Sequence, residues 1–428
     1  MNCYLGLDFG TSGARAMVID AAGIVNFEAH FFFEEQKNLS ELWQRALFSL
    51  ISQIPLDLRC CLRAIAIDGT SSTVLLCNKA GIPITEPLLY NDGRGVSELE
   101  KLASLAPANS PVISATSSLA KLLWWQSLYD NFEDYYFLHQ ADWLGFLLHG
   151  EIGKSDYHNA LKLGADPEKC CYPEWLLGID NLPNLPEVLT PGMPVGNVKT
   201  EICEEFGISK NCVVCAGTTD SIAAFMASGA KWAGEAVTSL GSTLVLKLLS
   251  NTRIDDSRFG IYSHRFCSFS KENLWLVGGA SNTGGAVLKQ FFTKKELEEL
   301  SLKIDPTKTS EFDYYPLTKP GERFPINDAF LQPKLTPQPA NKQEFLHGLL
   351  ESIAKIEARG YNLLQELGST NLQRVYSAGG GAKNEVWEKI RGRYLGVEMS
   401  KPVSFDAAYG SALLAMRGVE NLTADECP

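Results

Sequence analysis

Gly6-Leu7-Asp8-Phe9-Gly10-Thr11-Ser12-Gly13-Ala14-Arg15 fits a strand end, a turn and the start of a second strand into ten residues. Residues 4–8 are apolar up to a final carboxylate, 9–13 form a turn with two glycines, and 14–19 are again strand-like. Asp20-Ala21-Ala22-Gly23 turns the chain once more, into a third strand at 24–27. The chain thus opens as a β-meander whose first turn consists of glycine and small hydroxyl residues. Such a turn presents several N–H and O–H donors, and its glycines let a ligand approach the backbone closely.

The pattern recurs. Residues 62–67 read as a buried strand that runs into Asp68-Gly69-Thr70-Ser71-Ser72-Thr73 and then into a strand at 74–78. Thr238-Ser239-Leu240-Gly241-Ser242-Thr243 repeats strand, polar turn and strand in the second half. We read all three as strand pairs bracketing a polar hinge. Between them, Ser40 is positioned as the N-cap of a helix, and 97–106, 119–129 and 138–149 are helical in pattern. Residues 150–194 are loop-rich. Cys212–Cys215 forms an apolar strand that leads through Ala216-Gly217-Thr218-Thr219 to Asp220 and a helix at 221–228. Further on, a strand at 274–277, helices at 282–292, 345–367, 385–394 and 409–417, and a strand at 374–377 entering Ala378-Gly379-Gly380-Gly381-Ala382-Lys383-Asn384 complete an alternating α/β pattern. Residues 305–340, with seven prolines, read as extended loop.

The length of 428 residues suits two or three domains, and 45% hydrophobic against 21% charged residues marks an ordinary globular chain rather than a disordered or collagen-like one. The net charge of −12 argues against nucleic acid as main partner, because phosphate neutralisation needs clustered Lys and Arg. It leaves room for an anion site built from uncharged backbone N–H groups. The cysteines, eleven in all, include a CxxC at Cys212 and Cys215 without a second ligand pair at zinc spacing, so free buried thiols and a reducing, cytoplasmic setting are expected. No run reaches the roughly 18 apolar residues of a membrane span, and the first residues lack a leader pattern.

Nucleotide phosphates bring Mg²⁺, which prefers carboxylates and water. Asp8, closing its strand beside the Gly10–Gly13 turn, is positioned to hold the metal's water shell. A GxxxxGK[ST] loop is absent. Taken singly, each glycine turn is also an ordinary hairpin turn, and Asp220 is also a helix N-cap.

As a set, Gly6–Arg15, Thr238–Thr243 and Ser377–Asn384 resemble the two phosphate loops and the adenosine motif of the actin and hexokinase ATPase fold. With Asn91-Asp92-Gly93-Arg94 and Gly217-Thr218-Thr219-Asp220-Ser221, the chain resembles the FGGY carbohydrate kinases over about residues 4–417. The resemblance implies two ribonuclease-H-like α/β lobes with a nucleotide cleft between them. Residues 1–228, with 403–428 returning to them, would form the sugar-binding and catalytic lobe, and 229–402 the nucleotide lobe. It implies Asp220 as catalytic base, Asp8 on the Mg²⁺ side, and Gly10, Thr11, Ser12 and Gly13 as the first phosphate turn. Gly241, Ser242 and Thr243 would form the second, and Gly380, Gly381 and Asn384 the adenosine site. Asp8, Ser12, Ser72 and Asp220 would meet the sugar.

The implied activity is ATP-dependent phosphorylation of the terminal C5 hydroxyl of a ketopentose. The Ser71-Ser72-Thr73 turn departs from the glycerol-kinase and xylulokinase patterns, and a compact cyanobacterial and plant branch of the family, whose resemblance implies D-ribulose, is more similar to this lean chain. D-Xylulose or another polyol is the alternative within the family, and a non-catalytic chaperone or sugar sensor the alternative outside it. A monomer or homodimer is expected. Asp92, Arg94, Arg15, Trp124, Trp125 and Trp143 are open between substrate contacts and packing or loop-locking roles, and His139, His149 and His158 are unassigned.

Overall fold

The structure is a computed structural model of the chain and describes residues 2–34, 37–129, 132–267 and 273–420. The chain divides into two compact units, Met1–Ala227 with Asp406–Pro428, and Ser228–Phe405.

In the first unit, β1 (Cys3–Phe9) pairs antiparallel with β2 (Gly13–Asp20), which pairs antiparallel with β3 (Val25–Phe32). On the other side of β1 lies β4 (Leu62–Gly69), in parallel register. β5 (Val74–Cys77) and β6 (Tyr136–His139) form a separate antiparallel pair, and β7 (Lys154–Asp156) and β8 (Glu187–Leu189) a parallel one. β9 (Pro194–Asn197) and β10 (Val213–Cys215) extend the main sheet, and β11 (Thr218–Thr219) pairs with β4 beyond the end of β10. β1 and β4 are covered on both faces, which explains their almost unbroken apolar runs.

One cover is the helix Leu39–Gln53, which buries Leu42, Trp43, Ala46, Leu47, Leu50 and Ile51 at helical spacing. Ser40 is not its cap, contrary to the sequence expectation. The N-cap is Asn38, in the left-handed region at φ 49°, and the apolar Leu39 is drawn into the buried face as the first helical residue. The other cover is the C-terminal helix Ala407–Glu420, which meets the sheet through small residues. A Cβ added to Gly6 would lie 1.9 Å from the Ala408 carbonyl oxygen, and one added to Gly410 would lie 1.9 Å from that of Ala223.

The second polar hinge is not a hairpin. β4 and β5 belong to different sheets, and residues 70–73 carry the chain from one to the other through a tight turn closed by Thr73 N donating to the Thr70 carbonyl at 3.1 Å, with Ser72 at φ 64°. The first and third hinges are true hairpin turns.

In the second unit, β12 (Glu235–Leu240) and β13 (Leu244–Ser250) form the hairpin, β15 (Asn273–Ser281) follows antiparallel on β13, and β14 (His264–Cys267) edges β15. β16 (Arg374–Ala378) joins β12 in parallel, and β17 (Glu398–Ser400) joins β16. In each main sheet three neighbouring strands pair antiparallel (β1, β2, β3 and β12, β13, β15) and the next strand, β4 or β16, joins the first in parallel, while β9 and β14 run antiparallel to their neighbours at the edges. The 25-residue helix Lys342–Glu366 buries Phe345, Leu346, Leu349, Leu350 and Ile353 against the second sheet. Beneath it, Arg391 Nε and Nη2 donate to both oxygens of Glu357, which also accepts from Thr238, all fully buried. This bidentate pair ties the helix Glu385–Leu395 to the strand that carries the second glycine turn.

Candidate active site

Parallel pairing brings carboxylates together at one end of the first sheet. Asp8 at the end of β1 stands in register with Asp68 at the end of β4, and Thr218 of β11 stands in register with Asp68. Asp220 opens the helix Asp220–Ala227 two residues later. Burial pushes Asp8 up to about 6. The negative charges of Asp220 and Asp406 add to the rise, while a hydrogen bond from Asp68 and the charge of Arg15 oppose it. Asp68 is fully buried and held well above the carboxylate range, first by desolvation and then by the charge of Asp8. Its Oδ2 accepts from Ser411 Oγ of the C-terminal helix at 2.6 Å, and its Oδ1 has no N–H, hydroxyl or ammonium donor. Burial and mutual repulsion thus disfavour two full charges on the Asp8 and Asp68 pair.

These oxygens are hard donors, and crowded, half-desolvated carboxylates favour a cation. Among the described residues no three His, Cys, Asp or Glu side chains converge as a closed metal site. An ion here would therefore take only one or two protein carboxylates, with water and phosphate supplying the rest, as Mg²⁺ does.

The glycine turns divide by what a side chain would meet. In the first, Gly10 N donates to the Gly13 carbonyl at 3.1 Å. A Cβ on Gly13 would strike the Phe31 carbonyl oxygen at 2.5 Å, whereas one on Gly10 would have only the Gly13 oxygen at 3.6 Å. Thr11 and Ser12 are exposed at its tip. In the second, the carbonyls of Gly241 and Ser242 accept from Gly285 N and Ala286 N at the start of the helix Gly285–Phe291, which locks the turn. Gly241 itself has room. In the third, a Cβ on Gly379, which stands at φ 80°, would lie 2.9 Å from the Leu240 carbonyl and one on Gly381 2.5 Å from the Trp387 ring, but one on Gly380 would meet nothing within 4 Å among the described residues. Protein packing requires Gly13, Gly379 and Gly381. It does not require Gly10, Gly241 or Gly380, whose missing side chains leave space for something outside the protein.

In the second unit that space belongs to a cavity of about 850 Å³ lined by Gly241, Ser242, Gly380, Gly381, Asn384 and Trp387 among others, with Lys289, Lys294, Lys383 and Lys389 at its wall. Thr243 is the member of the second turn that does not line it. Asn384 has a structural duty as well: its Oδ1 accepts from Trp387 N at 3.0 Å as the N-cap of the helix Glu385–Leu395, and its Nδ2 donates to Ser301 Oγ at 2.8 Å. A cavity of about 150 Å³ in the first unit is lined by Gly10, Thr11, Trp43, Thr70, Tyr90 and Gln140 among others. Gln140 Oε1 accepts from Thr70 N at 3.1 Å, and Thr73 Oγ1 from Tyr90 N at 3.0 Å. Ser72, from the same turn, is buried, does not line this cavity, and its Oγ has no hydrogen-bond partner.

The residues left open in the sequence make the following contacts within the protein. Arg15 pairs with Asp406 at 2.8 Å. Arg94 grips Asp92 and covers the Trp124 ring at 5.0 Å. Trp125 and Trp143 are core. Cys212 and Cys215 are buried free thiols, and burial pushes Cys215 up to about 12.

Sequence reasoning passed over Asp68, Lys121 and His158. Asp68 ends an otherwise apolar strand just as Asp8 does, and that parallel was a usable signal. His158 Nδ1 lies 2.8 Å from Thr218 Oγ1, two residues before Asp220. Lys121 is wholly buried and pushed down to about 7 by desolvation, with Asp92 opposing and Lys162 and Arg94 adding. Neither of these two signals itself in sequence, since their partners are 60 and 49 residues away.

Two sheets of one plan, each opening on a glycine and hydroxyl hairpin, with a carboxylate cluster in one unit and a large cavity beside a glycine turn in the other, describe a phosphotransferase of the actin and hexokinase class. Residues 3–227 match the N-terminal domain, and 236–419 the C-terminal domain, of the FGGY family of carbohydrate kinases, and the chain belongs to that family. It is 23% identical to the xylulose kinase of Staphylococcus epidermidis, with 97% of this chain and 88% of that protein covered. The gluconokinase of Bacillus subtilis is 24% identical over 50% of this chain and 45% of its own length. Among solved structures, a xylulose kinase from Brucella ovis superposes with a TM-score of 0.83 at 21% identity, covering 97% of this chain and 90% of that one. Plasmodium falciparum glycerol kinase with ADP gives 0.84 at 18%, covering 99% and 91%. The chain is a sugar kinase of this family. Among the described residues no helix is long and apolar enough to cross a membrane.

Proposed function

We propose that this kinase transfers the γ-phosphoryl group of ATP to the terminal C5 hydroxyl of a ketopentose, with Asp220 as the base. The observation that carries this reading is the placing of Asp220 at the head of a helix, joined through β11 to the strand end that holds Asp68 beside Asp8. Asp220 accepts the hydroxyl proton, the sugar oxygen bonds to the γ-phosphorus, and the bond to the bridging oxygen breaks to release ADP. In such transfers, positioning and charge neutralisation do most of the work. Asp8 would hold Mg²⁺ through its water shell, and the ion would neutralise charge on the phosphate oxygens. Gly10, Thr11, Ser12 and Gly13 of one unit, and Gly241, Ser242 and Thr243 of the other, donate to phosphate oxygens. Gly380, Gly381 and Asn384 receive adenosine in the 850 Å³ cavity. Asp8, Ser12 and Asp220 form the sugar side, and the buried Ser72, expected there from the sequence, supports the turn from within instead.

D-Xylulose is the first substrate we propose, because xylulose kinases are among this chain's relatives over nearly its full length. D-Ribulose is a second reading, favoured by the small Ser71-Ser72-Thr73 turn. ADP release measured with D-xylulose, D-ribulose, L-ribulose and glycerol tests the proposal. Turnover is expected with a ketopentose, and turnover with none of the four would overturn it.

A further inference from the structure

Lys121 is buried to zero exposure in the helix Ser118–Gln126, an expensive position for an ammonium group. Its Nζ donates to two backbone carbonyls from separate segments, Ser72 at 2.7 Å and Leu89 at 2.6 Å. Both segments reach the 150 Å³ cavity of the first unit, one through Thr70 and the other through Leu89, Tyr90 and Asn91. The same two segments are joined by Tyr90 N donating to Thr73 Oγ1, and Thr70 N and Oγ1 both donate to Gln140 Oε1. Ser72 is held at φ 64°, a left-handed conformation that strains a serine. The lysine carbonyl contact falls on that strained residue. Turn 70–73 leaves the main sheet for the β5–β6 pair, so its two ends are held by different sheets rather than by one hairpin ladder.

We propose that Lys121 is a positioning residue for the sugar: it straps the 70–73 turn to the 88–91 segment and so sets the shape of the 150 Å³ cavity that selects among ketopentoses. The inference rests on the ketopentose-kinase reading above. A dry apolar contact would fill the same space, but only a donor of several hydrogens can hold two carbonyls at once. Removing it leaves both carbonyls buried without that donor, so the 70–73 turn and the 89–91 stretch shift about the Val74–Leu88 bridge and the Tyr90 to Thr73 bond that still join them. Small misplacements of this kind weaken substrate engagement strongly.

The test is steady-state kinetics of the full chain carrying Lys121→Met, with Lys121→Gln beside it, since the amide keeps one donor group. For Lys121→Met the KM for the preferred ketopentose is expected to rise by about tenfold or more and the ratio of kcat/KM between D-xylulose and D-ribulose to move toward one. The KM for ATP should not change, and Lys121→Gln should fall between. A purely structural lysine would lower the melting temperature without splitting the two KM values, and unchanged sugar KM and selectivity in either folded variant would overturn the proposal. Failure of both variants to fold would also overturn it, by making Lys121 a residue of the fold alone. A wild-type chain inactive on every ketopentose would instead overturn the functional reading, whatever the variants do.

Discussion

Gly380 and Gly381 are neighbours with opposite reasons for lacking a side chain. Gly381 is pressed against Trp387 and Leu240, while Gly380 faces open space in the large cavity. Gly380→Ala should leave the melting temperature unchanged and raise the KM for ATP, whereas Gly381→Ala should cost about 1–3 kcal/mol of stability through overpacking. Thermal melts beside ATP titrations check both.

Asp156 poses another residue-scale question. Burial first, and the charge of Asp142 second, push it up to about 7, although Asn159 Nδ2 and the N–H groups of His158 and Asn159 all donate to it. The folded protein then binds more protons than the unfolded chain between about pH 4 and 7, so this residue makes stability fall as pH rises through that window. Asp156→Asn should flatten the slope of melting temperature against pH there. An unchanged slope would show that Asp156 does not set it. At this scale Asp8, Asp220 and the glycine turns stood out in sequence because their types are chemically marked, whereas Asp68 was passed over. Lys121 and His158 did not stand out, because their meaning lies in partners that only the fold supplies.

The elements show where local reading succeeds. Strands β1, β4, β12 and β16 and the helix Lys342–Glu366 were legible because their apolar spacing is itself the cause of their burial. The turn at 70–73 was misjudged because strand, polar turn and strand describes a hairpin and a sheet-to-sheet crossing equally well in one dimension. The choice is made by tertiary pairing of β5 with β6. Close backbone packing was also illegible: nothing in Gly6 announces that the C-terminal helix lies on it. Gly6→Ala would force a Cβ to 1.9 Å from the Ala408 oxygen and 2.3 Å from Ala412 N, backbone atoms that cannot swing aside. A loss of about 3 kcal/mol is expected, at the top of the usual overpacking range. Gly93→Ala, with nothing within 4 Å, is the control and should be near neutral. Chemical denaturation of the two variants decides it.

For the whole molecule, the consequential feature is that the last helix belongs to the unit formed by the first 227 residues. It covers β1 and supplies Ser411 to Asp68, so the far end of the chain supports the carboxylate cluster. Ending the chain after Phe405 should strip hydrogen-exchange protection from β1 and β4 while β12 and β16 keep theirs. Protection retained in β1 would contradict that. The two-unit plan was readable because the glycine hairpin recurs in each half. The choice of sugar was not, since it depends on cavity shape rather than residue type.

The proposed function turns on Asp220 acting as the base. The most direct measurement is sugar-dependent ADP release by Asp220→Asn against the wild type, with sugar KM and melting temperature taken alongside. The expected result is a fall in kcat of roughly 10²–10⁴-fold with both other quantities nearly unchanged. Turnover close to wild type would contradict the account.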